Sequence, residues 1–149
     1  MQHAVGRAAG HAAQIAQQAF REVALRHGEV KFIDVALRLG VVSGLAVAGS
    51  SLLVLENNRL RKLLRDEIRE WRWQLEEPRL WRKPNGTIDI THQIDNDIEI
   101  RRVTTTNGFY IVTNDPAQPE ILFRTNDEAV CKRWATVLNN VFEGRLQID

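Results

Sequence analysis

The sequence predicts an α+β protein: N-terminal helices, one of them a single transmembrane helix, then a small antiparallel sheet closed by a C-terminal helix. Three observations carry this reading. Residues 39–55 hold no charged side chain, residues 84–149 hold every threonine together with short alternating runs, and a Thr-x-x-Glu start at Thr125 precedes apolar side chains at helical spacing. The chain has 149 residues and is 44% hydrophobic, which suits one modest domain with helical appendages and excludes wholesale disorder. Its composition divides it into four segments: an amphipathic alanine-rich helical segment at 1–33, the transmembrane helix at 34–55, a basic amphipathic linker helix at 56–83 and a strand-rich domain at 84–149.

The first segment places Val5, Ala8, Ala12, Ile15, Ala16, Phe20, Val23 and Ala24 on one face of a helix that stops near Gly28. The stripe is mostly alanine, so it offers close approach rather than deep packing. Arg7, His3 and His11 with no acid before Glu22 have the flavour of a mitochondrial presequence, but no serine occurs before Ser43.

The uncharged run Leu39–Leu55 spans about 26 Å as a helix, and Val35–Leu37 extend it to bilayer length with Arg38 near its end. Gly40, Gly44 and Ala48 stand four apart, a small-residue ridge that lets a second helix approach. Arg59, Arg61, Lys62, Arg65, Arg69 and Arg72 follow the run and Arg21, Arg26, Lys31 and Arg38 precede it, which puts the C-terminal domain on the cytoplasmic or matrix side. Leu60, Leu64, Ile68, Trp71 and Leu75 continue a helical stripe towards Pro78. Arg59, Arg61, Lys62 and Arg65 are its candidate contacts to lipid headgroups or a partner, joined by Arg79, Arg82 and Lys83.

In the last segment Thr87–Thr91 and Ile98–Arg101 alternate as half-buried strands do. Asn107-Gly108 fits a hairpin turn between Val103–Thr105 and Phe109–Val112, and Glu120–Arg124 returns as another strand. The final helix carries Val130, Trp134, Val137, Leu138 and Val141 inward and stops at Gly144. Residues 98–142, through Ile98–Val103, Gly108–Thr113, Ile121–Thr125 and Trp134 with Leu138, resemble the C-terminal half of a pleckstrin-homology domain. In that family the closing strands run into a helix bearing an inward tryptophan, so the resemblance implies a PH-like partial barrel. The family's first strands and its basic phosphoinositide-gripping loop have no clear counterpart; Arg79, Arg82 and Lys83 lie nearest to where that loop would be.

Candidate chemistry is sparse. Cys131 beside Lys132 and Arg133 reads as a core thiol, and one cysteine excludes an internal disulfide. Asp95, Asp97 and Glu99 begin like a calcium loop but lack its glycine and closing glutamate. Asn85-Gly86-Thr87 reads as a turn, and no catalytic residue, metal site or cofactor is expected. A net charge of +1 argues against a nucleic-acid partner. The sequence thus predicts a non-enzymatic single-span membrane adaptor or accessory subunit, docking through Gly40, Gly44 and Ala48 and through the C-terminal domain. Its partners would be membrane lipids, other membrane-protein subunits or itself. The alternative is a soluble structural or assembly protein, such as a viral or phage component, with residues 39–55 buried at an oligomer interface.

Overall fold

The computed structural model describes residues 2–38, 41–56 and 59–144, with side chains from His11 onward except that of Arg38. A helix, α1 (Gln2–Leu25), leads into β1 (Val30–Arg38), β2 (Val41–Ala48), β3 (Ser51–Glu56) and β4 (Arg59–Leu63), which form an antiparallel sheet in sequence order. A 3-10 turn at Arg65–Glu67 then carries the chain into β5 (Ile68–Gln74), the first strand of a second antiparallel sheet. That sheet is completed by β6 (Gly108–Thr113) and β7 (Glu120–Arg124), with α2 (Gln93–Thr106) inserted between β5 and β6. The last helix, α3 (Glu128–Phe142), follows β7.

Residues 41–55 of the uncharged run are therefore two strands and their turn, and no helix among the described residues is long and apolar enough to cross a membrane. The transmembrane helix at 34–55, the single-pass topology and the membrane localisation built on it are all corrected by this geometry. The run lacks charge because the strands are covered on both faces, which removes the polar half of the usual alternation. Leu45 and Val47 of β2 and Leu52 and Val54 of β3 face the main core, whereas Ala46, Ala48 and Leu53 pack with Phe20 and Ala24 of α1. The alternative fares better but needs its own correction, since these residues are buried within the chain rather than at an oligomer interface.

Gly40 lies outside the described residues. Gly44 and Ala48 do admit a helix, but it is α1 lying across a sheet. A Cβ on Gly44 would come within 3.0 Å of the Phe20 ring, and Ala48 is fully buried beneath the same helix. At the far end of β2, Gly28 and Gly49 meet back to back with φ of 134° and 57°, and a Cβ on Gly28 would sit 2.6 Å from the Cα of Gly49. Side chains at either position would push the α1–β1 connection off the β2–β3 turn.

The predicted linker helix at 56–83 is likewise replaced by β4, the turn and β5. The Glu67 carboxylate accepts from the Leu64 amide at 3.0 Å and closes that turn. Ile68 enters the core while Leu60 and Leu64 remain exposed, so the apparent helical stripe is divided between two sheets. Residues 98–103 are helical within α2, and 87–91 lead into a 3-10 turn at Ile90–His92, so two predicted strands and the Asn107-Gly108 hairpin are corrected as well. Asn107 instead ends α2, and Gly108 is the first residue of β6. The strands 108–113 and 120–124 and the helix 128–142 with its buried tryptophan occur where the sequence places them. The N-cap of α3 is Asp127, whose carboxylate accepts from the Ala129 amide at 2.9 Å, rather than Thr125.

The helix does not close one small sheet. The inner faces of both sheets and of α3 meet in a single core, in which Trp134, Leu138 and Val141 join Leu45, Leu52, Phe109 and Ile121. Two polar joints fix this arrangement. Asp34 of β1 accepts from the Trp134 indole Nε1 at 2.6 Å and from the Arg133 guanidinium at 2.6 Å. Arg61 of β4 donates to Asp115 at 3.2 Å and to the Gln118 carbonyl at 3.2 Å, and Glu56 accepts the Leu122 amide at 2.9 Å.

The Gly44–Phe20 approach makes a testable demand. Gly44→Val is expected to cost about 1–3 kcal/mol by overpacking. With Phe20 already replaced by alanine, that cost should fall by at least about 0.5 kcal/mol, as read in a urea-unfolding cycle. Strictly additive energies would show that α1 does not bear on Gly44.

Candidate docking surface on the β5–β6 insertion

Residues 75–107 leave the second sheet after β5 and return to it at β6. The segment 75–82 runs out without regular secondary structure apart from a bridge at Arg82, a tight turn at Pro84–Thr87 reverses it, and α2 runs back beside it. The turn is an Asx type, in which the Asn85 side chain accepts from the Thr87 amide at 3.1 Å and the Thr87 hydroxyl at 2.7 Å. Arg82 and Ile88 form a single bridge across it.

Two buried asparagines hold the outgoing segment to the helix. Asn107 accepts from the Glu76 amide at 2.9 Å and donates to the Glu76 carbonyl at 2.8 Å. Asn96 accepts from the Trp81 amide at 2.8 Å and donates to the Trp81 carbonyl at 3.5 Å. Each side-chain amide thus stands in for a peptide group of a neighbouring strand. The spacing fits: eleven residues of helix rise about 16 Å, and five residues of extended chain cover about the same length. Between the clamps, Arg102 bridges Glu76 at 2.8 Å and Glu99 at 2.7 Å. Those hydrogen bonds hold both carboxyls below their ordinary pKa and raise that of the guanidinium. A depressed carboxylate contributes above its unfolded pKa and loses the contribution as pH falls through its folded one, so the bridge persists at neutral pH and weakens only in acid.

This use of the polar side chains turns α2 inside out. Asn96 and Val103 are its buried residues, while Ile94 and Ile98, one turn apart, are 78% and 64% exposed. Ile90, just before the helix, is 73% exposed. Thr104, Thr105 and Thr106 return their hydroxyls to carbonyls of the preceding turn, which suits β-branched polar residues to a helix end. Trp81, itself exposed, stacks on His92 with ring centroids 4.4 Å apart, and His92 lies 3.2 Å from Asp95. A shallow cavity of about 300 Å³ opens between Ile94, Asp97, Ile98 and Arg101.

The basic residues singled out in the sequence do not form one cluster on one element. Arg61 is committed to the Asp115 joint. Arg65 donates to the Phe142 carbonyl at 2.7 Å, at the C-terminal end of α3 where a cation is favoured. Arg59 and Lys62 are exposed on β4, while Arg79, Arg82 and Lys83 are exposed on the insertion, where Arg82 donates to the Gly86 carbonyl at 3.0 Å. Asp95 and Asp97 are on a helix rather than a calcium loop, and among the described residues no three His, Cys, Asp or Glu groups converge as a metal site requires. Cys131 is fully buried in the core, and burial, followed by the charges of Asp127 and Glu128, pushes its thiol up to about 11. Lys132 pairs with Glu128 and Arg133 with Asp34, so neither neighbour activates it.

Sequence reasoning missed Asn96 and the role of Asn107. The available signal was the spacing of Asn96, Val103 and Asn107 by seven and four, a helical face made mostly of amides. No protein-family model, curated protein or solved structure matches the chain.

Asn96→Leu leaves the Trp81 amide without its partner. The expected cost is about 1–3 kcal/mol, or about 2–4 °C of Tm for each kcal/mol. Faster amide exchange should be confined to residues 75–107; exchange spreading through β6 and β7 would mean that the clamp supports the core itself. Cys131 in the folded chain should resist a thiol reagent at about pH 8 and react only as fast as the chain unfolds. Prompt labelling of the native protein would contradict its burial.

Proposed function

We propose that this chain is a non-catalytic structural or assembly protein, whose two-sheet body presents the outer face of α2 to a protein partner. The observation that carries this reading is the set of exposed isoleucines, Ile90, Ile94 and Ile98, on an insertion clamped in place by Asn96 and Asn107. Single exposed apolar residues are ordinary, but a contiguous group rimmed by polar side chains marks an interaction site. Burying one such side chain stabilises a complex by about 1.5–3 kcal/mol, and the clamped backbone lowers the ordering cost of binding. Asp95 and Asp97, both exposed beside these isoleucines, favour a protein surface with basic character over an anionic bilayer.

A photo-crosslinking residue at position 94 should trap a discrete protein adduct in the cells that make the protein, whereas one at position 132, on the exposed side of α3, should not. Ile98→Asp should abolish the adduct while changing stability by no more than about 0.5 kcal/mol, as expected of an exposed site. Equal adducts at both positions, or an adduct indifferent to Ile98→Asp, would overturn the reading.

A further inference from the structure

We infer that the partner of the α2 face is a second copy of this chain, which lays its own α1 along that face in a head-to-tail contact. The inference rests on the docking role proposed above and names its occupant.

The donor surface is the part of α1 that the sheet does not cover. Phe20 and Ala24 are buried against β2 and β3, but on the N-terminal side of them His11–Ile15 and Gln17–Ala19 are exposed. Ile15 is 56% exposed and stands between Ala12 and Ala19, so one apolar knob projects from a flank of small residues. A shallow groove of about 360 Å³ runs along this face past His11, Ile15, Ala19 and Glu22. The acceptor is the cavity between Ile94 and Ile98. Small residues around a knob let two helix axes come within about 8–10 Å, close enough for Ile15 to seat between the two isoleucines.

Charge supports the same pairing. Helix α1, Gln2–Leu25, contains Arg7, Arg21 and Glu22, a formal charge of +1, whereas residues 89–106 contain Asp89, Asp95, Asp97 and Glu99 against Arg101 and Arg102, a formal charge of −2. Direction follows too. Glu22 lies towards the C-terminal end of the α1 groove, and Arg101 at the C-terminal end of the α2 cavity. Parallel packing with Ile15 between Ile94 and Ile98 brings these two towards each other, and antiparallel packing separates them.

Donor and acceptor are different patches on one chain, so the contact is heterologous and each added copy leaves a free donor and a free acceptor. Growth ends in a ring or continues as a filament. Two short helix faces bury less than the roughly 1,600 Å² of a standard interface, so the assembly should be reversible and dependent on concentration.

The test is sedimentation of the full chain between about 1 and 200 µM, a range that brackets a micromolar contact. Wild type should rise in mass with concentration. Ile15→Asp and Ile94→Asp, each checked for unchanged Tm, should both stay monomeric. Their equimolar mixture should form a dimer and nothing larger, because only one competent donor and one competent acceptor meet. Variants that assemble like wild type, or a mixture that stays monomeric, would overturn the head-to-tail contact. Wild type monomeric throughout, with the residue-94 adduct in cells formed with a different protein, would overturn self-association and leave the docking role standing. Flotation of wild type with vesicles of neutral or anionic phospholipid, lost in Ile94→Asp, would overturn both.

Discussion

The structure depends on covering the β2–β3 hairpin on both faces. Its residues are apolar on each side, so the hairpin is stable only inside a layered body. One face takes α1, and the close fit there follows from Gly44, Ala46 and Ala48, which leave room for the Phe20 ring. The other face takes the second sheet and α3, whose large side chains meet Leu45, Val47, Leu52 and Val54. The alternation of small and large residues along β2 thus assigns a helix to one side and a deep core to the other.

Polar contacts then fix how these layers are oriented, a task that nondirectional apolar burial performs poorly. Asp34 joins β1 to α3 by satisfying the indole of the most buried tryptophan and the neighbouring guanidinium together. Arg61 joins the first sheet to the β6–β7 turn, and Glu56 joins it to β7. The insertion uses the same device more fully. Asn96 and Asn107 each satisfy both backbone groups of one residue in the outgoing strand, which frees α2 from having to turn isoleucines inward. An ordinary amphipathic helix would bury Ile94 and Ile98; here amide pairing holds the helix and leaves them available.

How much of this was legible follows from the same physics. The elements α1, β6, β7 and α3 were readable because each keeps one solvent face, so its period survives in the sequence. Trp134 and Cys131 were placed correctly for that reason. Residues 39–55 were misread because a strand buried on two sides loses its period and resembles a membrane helix in composition. A strand needs covering on only two faces, so the rest of the chain suffices to bury this run. Residues 98–101 were misread because their alternation of isoleucine with charge is a by-product of an inverted helix. Among the sites, Gly44 and Ala48 lie on a strand rather than on a membrane helix, with α1 packed over them, whereas the basic residues divide between internal joints and exposed positions on separate elements.

Association through helices rather than sheet edges is also what the strands favour. Among the described residues two open sheets present four edge strands, β1, β4, β5 and β7, and an unprotected edge recruits further strands. Here β1 carries Lys31, Asp34 and Arg38, β4 carries Arg59, Arg61 and Lys62, β5 carries Arg69, Glu70 and Arg72, and β7 is bracketed by Glu120 and Arg124. Arg72 pairs with Glu120 across the second sheet and lies 4.7 Å from the centre of the Tyr110 ring, so even its exposed side is occupied by charge. On the docking role proposed above, a chain whose sheet edges carry charge, yet which leaves isoleucines in water on two separate helices, would associate through those helices. The interface proposed on the β5–β6 insertion lies outside the sheets, where binding would not compete with the pairing that folds them.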